Sequence, residues 1–223
     1  MEVPRMLLAI AGKFPGDYTD GRYNEPTGDL TANLGRMPIV QVGDDHIGQS
    51  VAINYYIAAE NGFMGANNLE GAQILAIVEH LKEMNQAFRG LVAWGKEPTE
   101  EALNQWFDGG ATDVTGVASR DGQPTRYLTW WMGRIEAALG SQGFAVGDKL
   151  SLADVMLYYV FSEVLRDEEA AADFPQHRKE AFCSKARTDA ALAKHPKLKA
   201  ACDAVASNAN FQKWLSMRGQ QGF

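Results

Sequence analysis

Gln49 and Ser50 stand directly before a predicted helix whose apolar positions include Val51, Tyr55 and Ile57. Serine is one of the residue types preferred at a helix N-cap. The free N–H groups and the dipole of a helix N-terminus attract an anion such as a carboxylate, and the Gln49 amide adds a second polar group at the same end. The pair predicts either a small anion-binding site or an ordinary helix cap, and the pattern alone leaves both open.

A Met37–Pro38 step opens the apolar run that precedes this pair. The bond before a proline adopts the cis form more readily than any other peptide bond. The runs PIVQV (38–42) and HIGQ (46–49) then read as two strands, which the Gly-Asp-Asp sequence at 43–45 joins as a hairpin. Taken alone, the pattern favours an ordinary turn proline at Pro38.

Composition narrows the class of partner. The chain has 223 residues, a net charge of −7 and 46% hydrophobic residues, which is typical of a globular protein and disfavours nucleic acid or an anionic membrane surface as a partner. No apolar run approaches the roughly 20 residues that span a bilayer, and no signal peptide is recognised. Cys183 and Cys202 lack CxxC spacing and are predicted to be free thiols, and the histidines predict no metal site. The predicted compartment is the cytoplasm, or an organelle if a leader has been removed.

The pattern of apolar residues divides the chain into a small α/β part at residues 1–65 and a larger all-α part at residues 66–223. In the first part, a helix is predicted near residues 3–11, and a short strand could lie at residues 17–23. Apolar residues at helical spacing predict the helices of the second part. These are expected near residues 74–91, 99–107, 125–139, 151–166, 178–193 and 196–216.

A second helix start is marked more strongly than the first. Ser151 is followed three residues later by Asp154, the spacing of a capping box with Asp in place of the usual Glu. Leu150 and Val155 stand where a hydrophobic staple would form. This motif predicts a helix N-terminus and no catalytic role.

Together, the first helix, the Met-Pro hairpin, the Gln-Ser pair and the Ser-x-x-Asp cap resemble the cytosolic glutathione transferases, most of all the sigma-type enzymes. The resemblance covers residues 2–90, resumes at 143–161 and again near 195–215. It implies a thioredoxin-like N-terminal domain, an all-α C-terminal domain and usually a dimer. It also implies glutathione as co-substrate and a hydrophobic electrophile as second substrate.

The resemblance assigns glutathione-binding roles to particular residues. Met37, before a Pro38 that is cis in the family, would bind the peptide through its main chain as an added strand. Gln49 and Ser50 would hold the γ-glutamyl end. Arg36 would lie near the glycine end, and Glu83 would reach the glutathione amine of the neighbouring subunit, although a solvated helix face explains Glu83 equally well.

Two departures from the family pattern affect the predicted activity. The sigma-type tyrosine that stabilises the glutathione thiolate falls before residue 1, together with the whole first strand, so the catalytic residue is unknown. Either an upstream extension or another element would then complete the sheet. In addition, Glu25 and Asp29 occupy loop positions where relatives carry Trp and Lys, and two acids would repel the glycine carboxylate.

Two functions follow from these observations. The first is a glutathione transferase that conjugates the thiol to hydrophobic electrophiles, with Met84, Phe88 and Trp94 as candidate lining residues that core packing also explains. The second is a non-catalytic relative that serves as a structural or binding subunit of a larger protein assembly. For either function, the chain is expected to form a homodimer or to be a subunit of a larger complex. The missing strand, the acidic loop and the polar segments at 107–124 and 166–190 favour the second function.

Overall fold

The computed structural model describes residues 2–21, 29–93, 96–109, 126–163 and 180–217. The first part begins with helix α1 (Glu2–Ile10), as predicted, and ends with helix α2 (Ser50–Glu60). Between them, strands β1 (Ile39–Val42) and β2 (Asp45–Gly48) pair antiparallel, with Val40 opposite Ile47 and Val42 opposite Asp45. The predicted hairpin is therefore confirmed, and these strands form the sheet of the described residues.

The regular secondary structure described in the second part is all helical. Helix α3 (Asn68–Leu91) is the longest, and it starts where the Asn67 side chain accepts hydrogen bonds from the Leu69 and Glu70 N–H groups, both at 3.0 Å. The helices that follow are α4 (Glu100–Asp108), α5 (Leu128–Ala138), α6 (Leu152–Phe161), α7 (Lys185–Leu192), α8 (Pro196–Ala206) and α9 (Ala209–Met217). Within the described ranges, no helix has both the length and the apolar composition needed to cross a bilayer.

Helix α6 is the centre of the packing. It contacts α3 and α8 in the helical part and α1 and α2 in the N-terminal part. As a result, one continuous hydrophobic core runs through both parts of the chain. Its fully buried side chains include Met6, Leu7, Ile53, Ile74, Leu81, Met84, Trp106, Met132, Phe161, Phe211 and Trp214.

Helix α9 packs back on helix α1. The Asn210 side-chain amide donates a hydrogen bond of 3.3 Å to the Ile10 carbonyl at the C-terminal end of α1. Beside it, the Lys213 ammonium lies 4.3 Å from the centre of the Phe14 ring, a distance typical of a cation–π contact. The two ends of the described chain are thereby joined directly.

The predicted cap at Ser151 is confirmed. The Asp154 carboxylate accepts hydrogen bonds from the Ser151 N–H at 2.9 Å, the Ser151 hydroxyl at 2.7 Å and the Ala145 N–H at 2.7 Å. Burial raises the pKa of Asp154, and these donors oppose the increase. Leu150 and Val155 pack in the core, as a hydrophobic staple requires.

Three predicted elements need correction. The single helix expected at 196–216 is two helices, because Asn208 ends the first and caps the second by accepting a hydrogen bond of 3.0 Å from the Phe211 N–H. The strand expected at 17–23 is absent from residues 17–21, where an isolated bridge joins Pro15 to Tyr18; residues 22 and 23 lie outside the described ranges. The helix expected at 178–193 begins only at Lys185.

The thiol of Cys202 gives the first testable prediction. Cys202 is 2% exposed, and burial raises the pKa of its thiol from 9.0 to about 12. Because the folded pKa lies above the unfolded one, the stabilisation is complete below pH 9 and is lost as the pH rises toward 12. Between pH 7 and pH 10 the protein should lose on the order of 1 kcal/mol more unfolding free energy than a Cys202→Ala variant.

Urea unfolding of both proteins at the two pH values measures this difference. For each protein, the unfolding free energy at pH 10 is subtracted from that at pH 7. The destabilisation caused by the cavity in Cys202→Ala is the same at both pH values and cancels from this difference. Identical losses in the two proteins would contradict a buried, protonated thiol.

Candidate functional site

The predicted binding residues that precede α2 meet at one corner of the N-terminal part. A short 3₁₀ turn (Thr31–Asn33) comes first, the Met37–Pro38 step leads into β1, and Gln49 joins β2 to Ser50, the first residue of α2. The Met37–Pro38 peptide bond is cis, as the resemblance predicts. The 3₁₀ turn packs against β2, which brings the beginning and the end of this segment together.

Asn33 connects these pieces, although the sequence did not single it out. It is 4% exposed, in contrast to the exposed residues on either side of it. Its side-chain Nδ2 donates to the Pro38 carbonyl at 3.1 Å, and its Oδ1 accepts from Gln49 Nε2 at 2.9 Å. The Gln49 side chain is therefore tied to the carbonyl of Pro38 through one buried amide.

Arg36 belongs to the same group. Its backbone N–H donates to the Asn33 carbonyl at 3.1 Å, and its Nε donates to the same oxygen at 3.4 Å. The guanidinium of Arg36 thus lies beside the turn and remains exposed. Five of the six predicted residues are joined through Asn33 or lie next to a residue that is: Arg36, Met37, Pro38, Gln49 and Ser50.

The start of α2 differs from the prediction by one residue. Ser50 is the first helical residue, and Gln49 holds the N-cap position with φ 68° and ψ 124°. The Gln49 carbonyl accepts the first helical hydrogen bond, from the Ile53 N–H at 3.0 Å. Gln49 and Ser50 are both exposed, so the N–H groups of the first turn face a surface that a ligand can reach.

Met37 is 40% exposed at the same corner. Among the residues that the structure describes, neither its N–H nor its C=O takes part in a backbone hydrogen bond. An unpaired, exposed main chain beside a sheet is the geometry that lets an extended peptide bind as an added strand. Backbone recognition of this kind is compatible with any side chain at position 37.

Asp29 is engaged locally. Its carboxylate accepts a hydrogen bond of 2.8 Å from the Thr31 N–H, and hydrogen bonding to Thr31 lowers the pKa of Asp29. The group therefore caps the 3₁₀ turn. Glu25, the other acid predicted to repel the glycine carboxylate, lies outside the described residues.

Glu83 lies apart from these residues. It is on α3 with 59% of its side chain exposed, and its carboxylate is 3.8 Å from His80 Nδ1. In the described part of the chain, no hydrogen bond or ion pair links Glu83 to Arg36, Gln49 or Ser50. The role that the resemblance gives Glu83, contact with the glutathione amine of a neighbouring subunit, stays a prediction.

Two candidate lining residues belong to the core instead. Met84 and Phe88 are buried, and the Phe88 ring packs 5.2 Å from the Trp106 ring and 5.3 Å from the Phe182 ring, measured between centroids. The core interpretation is confirmed for both residues, and Trp94 lies outside the described ranges. In those ranges, no cluster of three His, Cys, Asp or Glu side chains could hold a metal ion.

Comparison with known proteins shows what the chain is similar to. Residues 120–218 match the family model described as "Glutathione S-transferase, C-terminal domain". The chain is 27% identical to probable glutathione S-transferase 7 of Caenorhabditis elegans over 97% of this chain and 90% of that protein. The chain is thus similar to glutathione transferases over nearly its whole length.

Two further comparisons cover the whole chain. S-crystallin 2 of Octopus vulgaris is 26% identical to the chain, over 100% of this chain and 93% of that protein. The crystal structure of the glutathione S-transferase Na-GST-3 of the hookworm Necator americanus matches with a TM-score of 0.64 at 22% identity. That match covers 100% of this chain and 93% of that one. The predicted fold, a thioredoxin-like N-terminal domain and an all-α C-terminal domain, is confirmed.

Proposed function

We propose that this glutathione transferase-like chain binds glutathione at the corner formed by Met37, Gln49 and Ser50. The peptide main chain pairs with Met37, and the γ-glutamyl carboxylate lies at the N-terminus of α2. The observation that carries the proposal is the hydrogen-bonded link from Pro38 through Asn33 to Gln49, which holds the strand-pairing edge and the helix N-terminus together.

The chemistry of the corner supports this ligand. The exposed N–H groups at the start of an 11-residue helix attract a carboxylate, and the free main chain of Met37 suits an extended peptide. Arg36 supplies a cation at the opposite end of the segment, where the glycine carboxylate would lie. The Asp29 carboxylate already accepts a hydrogen bond from the Thr31 N–H, and this bond reduces its repulsion of the glycine carboxylate.

The family implies glutathione and an electrophile as substrates, and usually a dimer. We propose the conjugation of glutathione to hydrophobic electrophiles as the activity and a homodimer as the assembly. The exposed carboxylate of Glu83 on α3 is available to a second copy. In the described residues, the hydrogen bonds of Asn33, Arg36 and Gln49 involve no tyrosine, so the group that activates the thiol is not assigned.

Calorimetric titration with S-methylglutathione, which carries no reactive thiol, tests the binding site. Ser50→Ala and Gln49→Ala should each weaken binding by roughly tenfold or more, because each removes a polar contact to a charged end of the ligand. Gln41→Ala is the matched control: it removes another exposed glutamine of the hairpin, whose amide bonds the Gly43 carbonyl. Binding that survives Ser50→Ala and Gln49→Ala as well as it survives Gln41→Ala would overturn this site.

A second function, a binding protein without transferase activity, is supported by the S-crystallin match over the whole chain. The two functions are separated by incubating the protein with glutathione and an aryl halide and following the thioether product. Binding together with product formation supports the enzyme. Binding of S-methylglutathione with no product above the uncatalysed rate supports the second function.

A further inference from the structure

We propose that Asn33 is a positioning residue that fixes the Gln49 amide with its oxygen toward the ligand, so that the site selects ligands with a free ammonium group. The inference rests on the proposed glutathione site and names the group that decides which peptide ends it accepts. It follows from the donors and acceptors that meet at Asn33.

The Pro38 carbonyl determines how the Asn33 amide is oriented. A carbonyl oxygen only accepts hydrogen bonds, so the atom of Asn33 that lies 3.1 Å from it must be the donor, Nδ2. If the amide were turned over, Asn33 Oδ1 would face the Pro38 oxygen and two acceptors would meet without a proton between them. The orientation of Asn33 is therefore fixed by chemistry.

Asn33 in turn determines the orientation of Gln49. With Nδ2 directed to Pro38, Oδ1 is the atom that faces Gln49, and it lies 2.9 Å from Gln49 Nε2. Only the amide nitrogen of Gln49 can donate to this oxygen. The Gln49 Oε1 atom is consequently directed away from Asn33, and it has no hydrogen-bond partner among the described residues.

The surroundings of Asn33 hold it in place. Its backbone N–H donates to the Leu30 carbonyl at 3.0 Å, and its own carbonyl accepts from the Arg36 N–H at 3.1 Å. Gly48 of strand β2 lies against the turn so closely that a Cβ atom there would be 2.7 Å from the Asn33 Cβ. The buried amide therefore acts as a rigid link between Pro38 and Gln49.

These constraints define the ligand chemistry beside Ser50. A fixed Oε1 acceptor recognises a donor, and a charged ammonium is the strongest donor available. The adjacent N-terminus of α2 favours a carboxylate. An acceptor and an anion site next to each other fit the zwitterionic α-amino acid end of a peptide such as the γ-glutamyl end of glutathione. They reject an end in which a carbonyl replaces the amine.

The test compares two ligands by calorimetry: S-methylglutathione and its analogue with an α-keto group in place of the α-amine. The keto group presents an acceptor to Gln49 Oε1, and the unaltered chain should bind the analogue at least roughly tenfold more weakly. In Asn33→Ala, Gln49 is free to turn its Nε2 toward the keto oxygen, and the ratio of the two affinities should fall by about fivefold or more. The change in ligand charge is the same for both proteins and cancels from this comparison.

Asn33→Asp separates positioning from stability. It keeps an acceptor toward Gln49 Nε2 but loses the donor to Pro38, so the loop is weakened while the preference for the amine is retained. Relaxed selectivity in Asn33→Asp to the same degree as in Asn33→Ala would overturn the inference, as would an unchanged ratio in Asn33→Ala. Equal affinity of the unaltered chain for the two ligands would overturn this inference alone, whereas binding of neither ligand would overturn the proposed function with it.

A second measurement applies where the variants do not fold. In nuclear magnetic resonance spectra of the unaltered protein, one side-chain amide proton of Gln49 should exchange with solvent several-fold more slowly than those of the exposed Gln73 on helix α3. Exchange at the same rate would overturn the hydrogen bond to Asn33 and the inference that depends on it.

Discussion

Asp154→Ala is expected to lower the free energy of unfolding by about 3–5 kcal/mol, the largest effect that we predict for a single side chain. The carboxylate accepts three hydrogen bonds at 2.7–2.9 Å, and two of the donors are backbone N–H groups of Ser151 and Ala145. Both backbone residues are buried, so water cannot replace the lost acceptor. Each unsatisfied group then costs about 1–3 kcal/mol.

Urea denaturation with a spectroscopic readout measures this effect, and Asp148→Ala is the matched control. Asp148 is an exposed acid in the connection that precedes α6, six residues before Asp154. Its removal should change the free energy of unfolding by less than about 0.5 kcal/mol. If Asp154→Ala lost no more than this control, the buried cap would have no structural importance. The effect should reach the N-terminal part as well, because α6 packs against α1 and α2.

Gly48→Ala should have the second largest effect, acting on both stability and binding. A Cβ at this position would overlap the Ala32 carbonyl oxygen and lie 2.7 Å from the Asn33 Cβ and 2.9 Å from the Ala32 carbonyl carbon. Two of these three atoms are backbone, so relief requires the whole 3₁₀ turn to move. We expect a loss of about 1–3 kcal/mol in stability and, because Asn33 moves with the turn, at least a roughly tenfold loss of S-methylglutathione affinity.

Gly133→Ala provides the control for this substitution. Gly133 lies inside α5, and an added Cβ would meet no described atom within 4 Å. Alanine should therefore stabilise the helix by about 0.4–1 kcal/mol and leave ligand binding unchanged. Equal behaviour of the two variants in thermal unfolding and in calorimetry would mean that the turn is not held against β2.

Local signals account for what the sequence predicted well. The Ser151–Asp154 cap depends on two residue types three positions apart, and the hairpin depends on a short polar turn between two apolar runs. Neither requires knowledge of distant contacts. The resemblance then supplied the sites near the hairpin, since pattern alone left an ordinary cap and an ordinary proline as alternatives.

Asn33 was not predictable for the opposite reason. It lies in a polar stretch, where an asparagine is normally exposed, and its burial arises from Gln49 and Pro38 at separations of 16 and 5 residues. The one-residue error at Ser50 has a related origin. Gln49 adopts a positive φ of 68°, which non-glycine residues seldom do, and the sequence gives no sign of it.

The missed break at Asn208 is different, because its signal was present. Asparagine is a common helix N-cap, because its side-chain oxygen accepts a hydrogen bond from the backbone N–H three residues later. Here the Asn208 side chain accepts a hydrogen bond of 3.0 Å from the Phe211 N–H. Apolar periodicity continues across Ser207 and Asn208, which is why the pattern predicted one helix. Side-chain capping outweighs periodicity at this point.

The contact between α9 and α1 constrains how the protein can be made. The Asn210 amide meets the Ile10 carbonyl across 200 residues of chain. During synthesis α1 is completed long before α9, but its surface toward α9 stays uncovered until residues 209–217 have left the ribosome. Closing this contact is a long-range step with a high entropic cost. The N-terminal part therefore reaches its final packing only after residues 209–217 have emerged, and the ribosome-bound chain exposes apolar surface of α1 until then.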